Sequence, residues 1–219
     1  ATPEGLSAIR LASIIGTTYK TAWLICHKIR HAMMASDAKE LLTGNVRINW
    51  GVYGHPHNPT VFRHPQEQPL LVGGSLQENE QFAHLKIKQV PEQYLHYDRI
   101  VPHAGYWFKQ LYVAPSVTDL TIVVQKFSIH RNRTLIRLAN QAAAWINRTF
   151  NGIGPKHLQA YLDQYCFGYN CKQAGASAFV KLLTTCAITK TITYPLLIQR
   201  ADYSIKNKLA YERLLREAG

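Results

Sequence analysis

A mixed α+β fold is what this sequence predicts, and three observations carry the prediction. Residues 6–34 show helical apolar spacing, residues 46–90 show strand-like alternation, and helical spacing returns from Arg133 onward. Strands first and helices later, rather than a strict alternation of the two, is the pattern of an α+β or mixed layer.

The elements follow in order. Leu6, Ile9, Leu11, Ala12, Ile14 and Ile15 form one apolar helical stripe. Gly16 interrupts it, and Thr17-Thr18 can cap a second helix through Trp23, Ile25 and Ile29. A polar stretch, Thr43-Gly44-Asn45, marks a boundary. Strands are predicted at 46–50, 70–74 and 84–88, with a Pro- and His-rich loop over 54–69. Another strand is expected at 111–113, running on toward Asp119, and a fifth at 127–130. Helices are predicted over 135–149, 156–167, 177–185 and 204–216, the first two separated by the breaker Asn151-Gly152-Ile153-Gly154-Pro155. No internal repeat or low-complexity tract is present.

Composition narrows the function. The 219 residues are 47% hydrophobic, enough for a packed core and against disorder. Lys and Arg number 25 against 13 Asp and Glu, a formal charge of +12 that favours a polyanion, nucleic acid first. Cys26, Cys166, Cys171 and Cys186 form no CxxC pair, which suits a reducing cytoplasmic setting. Cys166 and Cys171 as metal ligands are weaker than their reading as half-buried thiols. His55, His57 and His64 lack the four convergent ligands a zinc site needs. No apolar run reaches the ~18 residues of a membrane span, and no signal peptide is visible. The chain opens on Ala1 directly before a helical pattern, as expected of a fragment or processed chain.

The first two helices have the spacing of a DNA-binding helix-turn-helix. Ala12 is the small residue facing the partner helix, and Gly16 lies at the turn, where positive φ is wanted. Leu11, Ile15, Ala22 and Ile25 fall where the helices must pack. The amino end of the second helix would then offer Thr17, Thr18, Tyr19, Lys20 and Thr21 to the major groove, with Lys28 and Arg30 extending the basic surface. A plain helical hairpin with a Gly corner is the competing reading.

These same residues resemble a known family. Residues 11–23, LASIIGTTYKTAW, followed by His27-Lys28-Ile29-Arg30 and Ala32-Met33, are similar to the "LGVSYKTAW…HKIRxAM" segment of ISXO-two-like transposases, bacterial insertion-sequence enzymes related to Merlin elements. Residues 145–170, WINRTFNGIGPKHLQAYLDQYCFGYN, resemble that family's "WLxGTxxGVSxKHLQxYLxEFxFRxN", and residues 179–183 and 191–195 resemble its tail. The resemblance spans most of residues 6–198, specific at both ends and loose in the middle. It implies an RNase H-like core with DDE chemistry on Mg²⁺ or Mn²⁺, and double-stranded DNA, the element's terminal repeats, as partner. It also implies a bacterial, nucleoid-associated protein and leaves a homodimer open. The family's N-terminal zinc ribbon has no counterpart here. The implied divisions are 1–44 as the helix-turn-helix unit, 45–200 as the core and 201–219 as a helical tail.

The resemblance also predicts a damaged active site. DDE chemistry needs two divalent ions about 4 Å apart, held mainly by carboxylates. In the family's first motif, Asn49 stands here at the Asp position and Trp50 at the Glu. The second Asp matches Asp119, where the Thr118-Asp119 context favours a weak or vestigial metal ligand over a turn or capping residue. The third position matches Gln141, or Asn140 with a one-residue slip, and Ala143 replaces a Lys. Register aside, no Asp or Glu lies between Leu41 and Gln66, or between Leu120 and Leu162. The expectation is a transposase-family DNA-binding protein with an impaired or inactive centre. The alternatives are an active transposase with a depleted metal site and a domesticated helix-turn-helix regulator.

Overall fold

A computed structural model describes residues 5–54, 64, 66–97 and 99–198. The chain is mixed α and β, and it forms two compact units. One joins the described residues up to Lys39 with those from Ala144 onward. The other runs Glu40–Ala143. The helices at the two ends of the sequence therefore belong to one unit, where a boundary at residue 44 would have set the first two apart.

The first unit is helical. Helix α1 (Ala8–Ile15) is capped by Ser7, whose hydroxyl accepts the Arg10 N–H. It stops at Gly16, in the left-handed conformation with φ 64°. Thr18 starts α2 (Tyr19–Lys39) by accepting the Thr21 N–H at 3.2 Å. The Gly16 turn and the Thr18 cap are where the sequence expects them. Helix α2 packs on α5 (Pro155–Gln173) and α6 (Ala178–Ile188), and a short α7 (Tyr194–Ile198) follows. Pro155 sits in the first turn of α5, where its missing N–H costs nothing. Met33, Phe167 and Cys171 close a small core with Ile29, Ala178 and Leu182.

The second unit is built on a four-stranded sheet. Strands β1 (Asn45–Tyr53), β2 (Gln68–Leu76) and β3 (Phe82–Gln89) form an antiparallel meander. A two-stranded ribbon, β4 (Leu95–His96) and β5 (Arg99–Ile100), leads into α3 (His103–Tyr112). Strand β6 (Leu120–Val123) then pairs parallel to β1, so the sheet order is β3-β2-β1-β6. Helix α4 (Arg133–Phe150) follows. Val46, Ile48 and Leu71 meet Ala104, Trp107, Phe108 and Leu111 in one core. Gly73 permits that approach, because a Cβ there would lie 2.6 Å from the Phe108 ring.

Two strand expectations are corrected. Residues 111–113 are the end of α3 and its exit, and the parallel strand begins only at Leu120. Buried Ala104, Trp107, Phe108, Leu111 and Tyr112 show the three-to-four spacing of a helix face. The strand reading took only the last residues of that stripe. Residues 127–130 form turns, with the His130 N–H donating to the Ser128 hydroxyl. The helix expected at 204–216 lies outside the described residues, as do His55 and His57. Among the described residues, no helix is long and apolar enough to cross a membrane.

Candidate functional site

Asn49 lies on β1 and is fully buried. Its side chain is spent on structure. The amide nitrogen donates to the Trp50 carbonyl at 2.9 Å, and the amide oxygen accepts the Asn132 N–H at 2.9 Å. Asn132 in turn caps α4, accepting the Leu135 N–H at 3.0 Å. Asn49 thus ties the sheet to the start of α4.

Asp119 lies elsewhere. It precedes β6, and its carbonyl accepts the Val46 N–H at 2.9 Å. The residue of β6 beside Asn49 is Val123. Asp119 is therefore four positions back along the strand, roughly 13 Å at about 3.3 Å per residue. Its exposed carboxylate makes a two-point pair with the Arg47 guanidinium, at 2.7 and 3.0 Å. That pair holds the Asp119 carboxyl below the usual carboxylate range. Gln141 and Asn140 are exposed on α4, away from the Ala139 side that packs on Gly51. The three positions drawn from the resemblance do not converge, and they do not fit a pair of Mg²⁺ or Mn²⁺ ions. Among the described residues, no group of three or more His, Cys, Asp or Glu is placed to hold a metal. Cys166 and Cys171 are buried, and neither forms a disulfide among the described residues.

The residues assigned to DNA divide. Tyr19, Lys20 and Thr21 are exposed at the amino end of α2, and Thr17 is half-buried. Thr18 is exposed, but its hydroxyl is engaged in the cap and lies 3.0 Å from that of Thr21. Lys28 is half-buried. Arg30 is a correction, since it is only 4% exposed and cannot extend a basic surface. Its guanidinium lies 4.0 Å from the Tyr161 ring centroid, and its Nε donates to Gln164 at 2.8 Å. Helical spacing put Arg30 on the outer face, but α5 covers that face. His27 is buried beside it, its ring 4.0 Å from Trp23 and 5.2 Å from His157. Burial, then the charge of Arg30, pushes the His27 pKa down to about 3.

Sequence reasoning missed a cavity of about 360 Å³ at the carboxyl ends of β1 and β6. Trp50, Glu67, Gln125, Lys126 and Phe127 are among the residues lining it. Glu67 is 3% exposed. Its Oε2 accepts the His64 N–H at 3.3 Å and lies 3.9 Å from the Lys126 ammonium. Its buried Oε1 has no hydrogen-bond partner among the described residues. Lys126 stands 5.6 Å from the Trp50 ring centroid and 6.0 Å from that of Phe127. Trp50 had drawn notice in the sequence only as a degraded motif position, and Phe127 only as the start of an expected strand. Glu67 and Lys126 are distant in sequence and carry no shared motif.

No family model matches the chain, and no curated protein or solved structure matches it either.

Proposed function

We propose that this chain is a duplex-DNA-binding protein of the insertion-sequence transposase class that lacks strand-cleaving activity. The observation that carries the reading is the amino end of α2. It begins after a left-handed Gly16 and a capping Thr18, and it leaves Tyr19, Lys20 and Thr21 exposed. A helix of 21 residues with Tyr19, Lys20 and Thr21 exposed at its amino end is suited to a groove and its phosphates. The +12 charge supports a polyanionic partner. The order β3-β2-β1-β6, a meander with a parallel strand beside its first member, supports an RNase H-like core.

Loss of cleavage is supported by how the candidate ligands are used. Asn49 is committed to Asn132 and Trp50, and Asp119 to Arg47. Duplex DNA is the partner, with element ends the first sequences to try. The regulator reading gains from the same facts, because Asn49 and Asp119 are held in structural contacts while the amino end of α2 stays exposed. Footprinting separates the two, since a regulator prefers a promoter over element ends.

The test is a gel-shift titration across salt concentration. Binding should weaken steeply as salt rises, because each neutralised phosphate releases counterions. Lys20→Ala should weaken binding and lower the salt slope by about 1. No shift at low salt would refute the reading.

A further inference from the structure

We propose that the outer face of α6 joins two copies of this chain, helix against antiparallel helix. The proposal goes beyond the duplex reading and does not depend on it.

The first argument is how α6 divides. Ala178 and Leu182 pack into the small core with Met33, Phe167 and Cys171, and Thr185 is buried on the same side. This inner stripe faces α2 and α5. The opposite side carries Phe179, Val180, Leu183 and Ile188, each 54–61% exposed, with Thr184 and Ala187 exposed between them. The Thr184 hydroxyl donates to the Val180 carbonyl at 3.0 Å, so its donor is spent within the helix. A helix that is apolar on its outer side as well as its inner one is built for a partner on both.

The second argument is charge, and it selects a second copy. The chain carries a formal +12, so two copies repel wherever their basic surfaces meet. Between Lys172 and Lys190 the only charged residue is Lys181. Lys181 is half-buried, its ammonium 5.8 Å from the ring centroid of the core residue Phe167. The exposed face of α6 therefore carries no charge, and a copy of itself opposes it without repulsion. It also offers no charge with which to select an acidic or basic protein partner.

The third argument is self-complementary spacing. Val180, Leu183 and Ala187 recur at three and four residues, as along a helix-pairing seam. In an antiparallel pair centred between Leu183 and Thr184, Val180 of one copy lies opposite Ala187 of the other. Leu183 then meets its own twin, and so does Thr184. A larger side chain faces a smaller one at each end, and the helix dipoles oppose. A parallel pair would set Ala187 against Ala187 and leave a gap. The patch is on the order of several hundred Å². That lies below the ~800 Å² per partner of a standard interface, so the pair should exchange at micromolar concentration.

Sedimentation of the full chain across concentration should show monomer and dimer in exchange. Leu183→Glu should weaken pairing at least about tenfold, because two carboxylates would face each other at the axis. Leu183 is more than half exposed in the single chain, so this variant should fold. Ile129→Glu, at an exposed site in the other unit, should leave pairing unchanged. Orientation is read by disulfide trapping in a Cys186→Ser background, the other three cysteines being buried. Val180→Cys and Ala187→Cys chains should cross-link when mixed and not when alone, since a disulfide bridges Cα atoms no more than ~7 Å apart. If Leu183→Glu fails to fold, the trapping decides. A chain that stays monomeric up to about 100 μM would overturn the proposal, whether its own tail or another protein covers the face. So would a dimer that Leu183→Glu leaves intact, a mixture that does not cross-link, or cysteine variants that cross-link only to themselves.

Discussion

Asn49 and His27 show what single buried side chains do here. Asn49 both donates and accepts, to Trp50 and Asn132, at a site with no solvent. An Asp in its place would set a carboxylate oxygen against the Trp50 carbonyl. Asn49→Asp should therefore cost about 3 kcal/mol or more in urea unfolding at pH 7, and Mg²⁺ should not restore it. The cost should shrink at low pH, where a protonated Asp can donate to the carbonyl. Rescue by Mg²⁺ would revive the metal reading of this position. His27 carries the pH dependence. Its pKa lies near 3 in the folded chain against an ordinary 6.5, so the unfolded chain binds its proton first as pH falls. The neutral ring's contribution is intact above about pH 6.5 and declines as pH drops toward 3, by at most about 1.4 kcal/mol per pH unit. Burial lowers His31 and His157 in the same direction. His27→Phe should change stability at pH 7 by no more than about 1 kcal/mol, since Nε2 is already unpartnered, and should flatten the acid side of the profile. Unfolding midpoints from pH 7 to pH 4 check this. An unchanged slope would assign the dependence to other groups.

Element by element, the turn between α1 and α2 was legible because its requirement is local. Gly16 adopts φ 64°, and a Cβ there would meet nothing within 4 Å. Gly16→Ala should therefore cost backbone strain alone, about 1 kcal/mol, and should leave the helices formed, as thermal unfolding and circular dichroism can test. A much larger loss would mean the turn is also packed. Strand β1 was legible for a similar reason, since its alternation of apolar and polar residues needs no partner to be read. Helix α3 was not legible. Its buried face includes Gly105, Trp107 and Phe108, residues of modest or poor helix propensity. The helix is held by the sheet it covers, through contacts such as Phe108 on Gly73. The same missing partner explains β6, which begins at Leu120 because its ladder with Val46 begins there.

For the molecule as a whole, the decisive experiment is catalytic. With terminal-repeat DNA and Mg²⁺ or Mn²⁺, purified protein should give no strand cleavage or joining. Specific 3′-end cleavage that Asp119→Ala abolishes would overturn the inactive reading. The expectation now rests on geometry as well as composition, because Asn49, Asp119 and Gln141 lie on separate parts of their unit. The sequence by itself determined the mixed α+β class, the Gly16 corner, the basic charge, and the lack of acids between Leu41 and Gln66 and between Leu120 and Leu162. These are properties of composition or of a few neighbouring residues. Only the tertiary structure decided that Arg30 is buried against Tyr161, that Asp119 pairs with Arg47 rather than joining Asn49, and that Glu67 and Lys126 meet over a cavity. Each of these joins residues from different elements. Strand register and helix packing set such distances, and the order of residues along the chain leaves them open.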